Sequence, residues 1–180
     1  MKSIALVTIV TLVLRFWASA MFLDNTRGRY ETDTNDDGRL PNWFAIFPGT
    51  KWCGAGNISA NNEDLGIAAD TDKCCRTHDF CNDTIEAGGT RHNLTNDAFY
   101  TRLVCDCDYD FYDCLKNVSS KVSNNVGLIY FNILGTQCFR EDYPIVACIK
   151  YEYTPRKKCV EYAYDTTQDK RYQWFDVPRY

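Results

Sequence analysis

The residues best suited to chemistry stand close together: Cys74, Cys75, His78, Asp79 and Cys81. An imidazole titrates near neutrality, so His78 can take a proton from water at ordinary pH. Asp79 places a carboxylate directly beside it. Upstream, Trp52-Cys53-Gly54-Ala55-Gly56-Asn57 forms a glycine-rich loop. Gly54 and Gly56 permit backbone conformations that other residues resist, so such a loop can turn several carbonyl oxygens inward. A hard cation such as Ca²⁺ takes carbonyl and carboxylate oxygens, and Asp79 is the natural carboxylate. Taken alone, Gly-x-Gly is equally well explained by a tight turn.

These groups need elements to hold them. Thr71–Ile85 has no Pro or Gly, is followed by Gly88-Gly89, and reads as a helix. Thr95–Leu115 reads as a second helix, with Thr95, Asn96 or Asp97 as its cap. Cys74 and Cys81 are seven residues apart, as are Cys107 and Cys114, so each pair lies on one helix face. The short Ala87–Leu94 connection suits an antiparallel return. Antiparallel helices would then be laddered by Cys74–Cys114 and Cys81–Cys107. His78 falls between the rungs and faces Asp106, Asp108, Asp110 and Asp113 on the partner helix. Periodicity puts Asp110 as squarely opposite His78 as Asp108. A lone histidine is more often a hydrogen-bonded core residue; one held between two rungs facing acids has a use.

Val122–Leu134 reads as a third helix, with Gly135 as its C-cap. Ile145–Tyr153 and Lys158–Tyr164 read as a hairpin carrying Cys148 and Cys159, and Tyr172–Val177 as a further strand. The class is α+β: disulfide-rich, antiparallel disulfide-linked helices with a candidate calcium loop and a C-terminal β-hairpin.

The chain has 180 residues with 20 Lys+Arg against 24 Asp+Glu, a net charge of -4. A generic nucleic-acid binder needs a basic face, so that class is set aside. Its 12 Tyr, 10 Phe and 4 Trp leave contact with a lipid surface open. Ile4–Leu14 is shorter than the ~20 residues of a spanning helix. Followed by Ala18-Ser19-Ala20, it reads as a signal peptide over 1–20, which implies secretion. Residues 21–44 hold no Cys and several acids and read as a propeptide or a mobile arm, leaving 45–180 as the folded domain. Ten cysteines in a secreted chain imply five disulfides. Zinc on Cys74, Cys75, His78 and Cys81 is the weaker reading, because no C-x2-C pair repeats. Sequons at Asn57, Asn82, Asn93 and Asn117 are glycan candidates.

Three motifs together are specific: Trp52-Cys53-Gly54-x-Gly56, Cys74-Cys75-x-x-His78-Asp79-x-Cys81, and Cys105-x-Cys107-Asp108-x5-Cys114. With Phe111-Tyr112-Asp113-Cys114-Leu115 and the ending Tyr172-Gln173-Trp174-Phe175-Asp176, the chain from about Ile46 to Tyr180 resembles secreted phospholipase A2. Within that family it is most similar to the group III, bee venom type. The resemblance implies that His78 is the general base and that Asp108, rather than Asp110, orients it. It implies that Tyr130 hydrogen-bonds the aspartate. It implies Ca²⁺ held by the carbonyls of Trp52, Gly54 and Gly56 and by the Asp79 carboxylate. It also implies the pairs Cys53–Cys75, Cys105–Cys138 and Cys148–Cys159. Two departures stand out: Ala55 replaces a histidine common in the bee type, and the Gly135–Cys138 stretch is one residue shorter.

The activity implied is calcium-dependent release of the sn-2 fatty acid of a glycerophospholipid, with the membrane surface as substrate. A catalytically weak toxin or a ligand of a cell-surface receptor on the same scaffold is the rival reading. The protein is expected to be a monomer. Trp43, Phe44, Ile46 and Phe47 lead into the loop and are read as apolar lipid contacts, with core packing as the alternative. The basic cluster Arg156-Lys157-Lys158 lies apart, in the hairpin turn.

Overall fold

A computed structural model describes residues 46–180. The signal peptide over 1–20, the arm over 21–44, and Trp43 and Phe44 lie outside the described residues. In chain order the elements are α1 (Ala69–Asp79), β1 (Thr84–Ile85), β2 (Thr90–Arg91), β3 (Leu94–Thr95), β4 (Arg102–Leu103), α2 (Cys105–Val118) and α3 (Lys121–Gly127). A π-helical segment (Leu128–Leu134) follows, then β5 (Gln137–Asp142), β6 (Ile145–Glu152), β7 (Lys158–Tyr164) and β8 (Arg171–Asp176).

Helix α1 opens with Asp70 and Asp72 in its first turn, where the helix dipole favours negative charge. It ends at Asp79, six residues before the Ile85 read from the sequence. Beyond it, Thr84 and Ile85 pair with Leu103 and Arg102 in an antiparallel ribbon. A β-branched pair gains more from that strand pairing than from another helical turn.

The expected helix over Thr95–Leu115 is corrected more strongly, since α2 starts only at Cys105 with Val104 as its cap. Asn96 is the reason. Its buried side-chain amide donates to the carbonyls of Ile85 (2.8 Å) and Tyr100 (2.8 Å), so it builds a loop instead of capping a helix. The expected helix over 122–134 is two pieces. Ser120 and Ser123 form a reciprocal cap for α3. The π-helical segment then runs to Gly135, whose φ of +59° closes it. At Gly127 an added Cβ would meet the Tyr180 ring at 2.4 Å, so only glycine lets the C-terminus pack there.

Strands β6 and β7 form an antiparallel hairpin stapled by Cys148–Cys159. Strand β8 pairs antiparallel with β5, from Gln137↔Asp176 to Asp142↔Arg171. The polar β5 sequence QCFRED carries a weak strand signal of its own, and its pairing with β8 makes it a strand. The remaining bridges join Cys53 to Cys75, Cys74 to Cys114, Cys81 to Cys107 and Cys105 to Cys138. Among the described residues no cysteine is free. The order of the rungs 74–114 and 81–107 makes α1 and α2 antiparallel. The core gathers Trp52, Cys53, Cys75, Phe111, Leu115, Phe131, Cys138, Phe175 and Val177. This is the disulfide-rich α+β class read from the sequence.

Candidate active site

His78 is the penultimate residue of α1, and Asp108 lies in the first turn of α2. The two disulfide rungs hold these helices face to face, and His78 Nε2 lies 2.9 Å from Asp108 Oδ1. The His78 side chain is 9% exposed and that of Asp108 is 0% exposed, so water competes little for this bond. Asp106, Asp110 and Asp113 are exposed, and burial is what separates Asp108 from them. Tyr130, on the π-helical segment, donates its hydroxyl to the same Oδ1 at 2.7 Å. Burial, with the charge of Asp108 beside it, drives the Tyr130 phenol well above its usual pKa, so it stays a donor.

The imidazole is clamped as well as bonded. Phe111 stacks on its face with centroids 4.3 Å apart, and Tyr130 meets its edge at 5.1 Å. A carboxylate on Nε2 stabilises the tautomer protonated there and leaves Nδ1 as the basic nitrogen. In the sequence Phe111 carries no role beyond its place in the family-like segment Phe111–Leu115. Its place three residues after Asp108, on the same helix face, was the available signal.

The loop begins beside an isolated antiparallel bridge between Ile46 and Gly54, with Phe47 N–H donating to Cys53 O at 2.7 Å. Ile46 is buried, which places it in the core rather than among lipid contacts, and Phe47 packs half-buried against the same core. Gly56 has φ +83° and requires glycine, whereas Gly54 stays outside the left-handed region. Among the described residues no donor reaches the carbonyls of Trp52, Gly54 or Gly56. Nor, among the described residues, does a hydrogen-bond donor or cation meet the Asp79 carboxyl. Asp79 keeps an exposed edge, yet burial of its carboxyl against protein pushes its pKa up to about 7, and nearby Asp72 adds to the rise while His78 opposes it. Three unclaimed carbonyls and a carboxylate lacking a countercharge form an all-oxygen donor set, which fits a hard divalent cation.

His92, the other histidine, is engaged elsewhere. Its Nε2 meets Asp83 Oδ2 at 2.9 Å and its ring stacks on Tyr172 at 3.9 Å. The four sequon asparagines are all exposed.

Disulfide-locked antiparallel helices that present a clamped His–Asp pair make a scaffold for hydrolysis by activated water. The Phospholipase A2 family model matches residues 46–142. A phospholipase A2 of the bumblebee Bombus pensylvanicus is 56% identical over 136 residues, spanning 75% of this chain and 99% of that protein. The phospholipase A2 of Apis mellifera is 46% identical over 136 residues, spanning 75% of this chain and 80% of its own length. The acidic phospholipase A2 PA4 of Heloderma suspectum is 46% identical over 94 residues, 52% of this chain and 66% of that protein. The chain belongs to the phospholipase A2 family.

Proposed function

We propose that the protein hydrolyses the sn-2 ester of glycerophospholipids, releasing a fatty acid and a lysophospholipid. The observation that carries this reading is the 2.9 Å bond between His78 Nε2 and the fully buried Asp108, which leaves Nδ1 facing away as a base. His78 Nδ1 takes a proton from water as that water attacks the ester carbonyl. Asp108 holds the tautomer and stabilises the imidazolium, and Tyr130 shares the carboxylate's charge through its hydroxyl. Phe111 keeps the ring plane fixed while the charge develops. His78 then returns the proton to the departing glycerol oxygen.

Trp52, Gly54 and Gly56 through their carbonyls and Asp79 through its carboxylate would hold Ca²⁺. Bound there, the ion supplies polarisation of the ester carbonyl and charge stabilisation at its oxygen. The Gly54 N–H is a second donor toward that oxygen.

In this reading residues 1–20 are a signal peptide, 21–44 a removable or loose arm, and 45–180 the enzyme. Five disulfides fit an oxidising, extracellular compartment. No helix among the described residues is long and apolar enough to cross a membrane.

The test is fatty-acid release from phosphatidylcholine vesicles. Release is expected with calcium and should stop on chelation. Release that continues unchanged in chelator would overturn the calcium assignment, and absence of release under every condition would overturn the activity.

A further inference from the structure

Asp72 takes no part in the mechanism above, yet it is a carboxylate 0% exposed to solvent. Burying a charge is costly unless hydrogen bonds replace its water. The donors found here are backbone amides. Lys51 N–H is shared between Oδ1 and Oδ2 at 2.9 Å each. Trp52 N–H meets Oδ1 at 2.8 Å, and Gly66 N–H meets Oδ2 at 2.7 Å. Two of the three amides lead directly into the proposed cation loop, and one belongs to Trp52 itself. The third ties the loop to Gly66, where the chain passes so close that an added Cβ would lie 2.4 Å from Gly49 O. Asp72 is in turn fixed by α1, whose first turn it occupies, and by the neighbouring Cys53–Cys75 bridge.

Resting on the calcium reading above, we infer that Asp72 is the positioning residue of the cation loop. It gathers the amides of Lys51, Trp52 and Gly66 on one side, which anchors the backbone that leads into the Trp52 carbonyl, the first of the proposed ligands. Its negative charge also stands behind the loop, alongside that of Asp79, where a divalent cation gains from both. Asp72 does not touch the ion and acts through the loop backbone.

Asparagine cannot substitute. Three N–H groups converge on two oxygens, so either orientation of an amide puts an NH₂ against the Trp52 or the Gly66 N–H. Removing a partner one step behind a metal ligand typically costs about 10- to 100-fold in metal affinity. The experiment measures calcium binding by calorimetry on wild type, Asp72→Asn and a control, Thr71→Val, with melting temperatures alongside. Thr71 is the adjacent buried residue, bonded to Ser120 rather than to the loop (3.3 Å). Asp72→Asn should weaken calcium binding about 10- to 100-fold. Its turnover should recover at high calcium. Thr71→Val should lower the melting temperature and keep wild-type calcium affinity.

Unchanged calcium affinity in folded Asp72→Asn overturns the inference while leaving the calcium reading intact. A wild type that binds no calcium overturns the reading and the inference together. Should Asp72→Asn fail to fold, amide exchange in the wild type decides. Slow exchange at Lys51, Trp52 and Gly66 in calcium-free protein supports the clamp, and exchange there at the rate of an open loop refutes it.

Discussion

At the scale of single residues, the site depends on which nitrogen of His78 is engaged. Nε2 is committed to Asp108, so Nδ1 is the nitrogen left for the proposed base role. His78→Gln keeps similar bulk but cannot accept a proton near neutral pH, and turnover should fall by roughly 10²–10⁴-fold. Calcium binding, measured by calorimetry, should survive. Near-normal turnover in that variant would make another group the base, and His92, bonded to Asp83, is poorly placed for that role. Asp79→Asn should do the reverse. It removes the only charged oxygen of the donor set, so calcium affinity should drop strongly while the fold is kept. Retained affinity would show that the ion sits elsewhere.

At the scale of elements, the π-helical segment carries Tyr130 and Phe131 and must be held against the strands. Lys158 does this from β7. Its buried ammonium donates to Phe131 O (2.6 Å) and to Val177 O (2.9 Å). Lys158→Met would leave both carbonyls without a donor, at about 1–3 kcal/mol for each buried group. A clearly lower melting temperature is expected. Burial also pulls the Lys158 pKa from 10.5 down to about 8. Between pH 8 and 10.5 the unfolded chain therefore binds the extra proton, so this group makes folding more favourable as pH rises through that window. The buried tyrosines act in the opposite sense above about pH 10, Tyr162 with its pKa raised to about 12. They are common to both proteins, so the comparison cancels them. The gap in melting temperature between wild type and Lys158→Met should widen from pH 8 to 10. A constant gap would mean that Lys158 does not titrate there.

At the scale of the molecule, the proposed function puts the substrate in a bilayer, which the site mouth would then have to meet. With a net charge of -4, general electrostatic attraction to anionic lipid is unavailable, and local basic clusters fade with salt. Ile46 is core, so apolar contact falls to other residues. Ile67 is 98% exposed beside the N-terminus of α1. Phe80 is 58% exposed, directly follows Asp79, and has its ring 5.7 Å from Trp52. Full burial of such side chains is worth ~1.5–3 kcal/mol each. Changing both to Ser should therefore weaken binding to zwitterionic vesicles by about tenfold or more, with turnover of a soluble short-chain ester largely kept. Equal loss on both substrates would assign them to site integrity, and strong rescue by anionic lipid would point to Arg156 and Lys157.

The family and the disulfide frame were legible in the residues alone. Seven-residue cysteine spacing in two segments placed His78 against the acids of the partner helix, although Cys81 stands just past the end of α1, because helical periodicity is local and covalent links are discrete. Resemblance then selected Asp108 from acids that periodicity left equivalent. Only the tertiary structure shows the physical difference, which is that Asp108 is buried between helices while Asp110 faces water. Local propensity overran both site helices, because strand pairing of Thr84–Ile85 with Arg102–Leu103 and the carbonyls claimed by Asn96 are contacts between distant segments. The clamp of Phe111 on His78 and the amides gathered on Asp72 were illegible for the same reason. Side-chain packing and backbone hydrogen bonds between distant segments exist only once the chain has closed on itself.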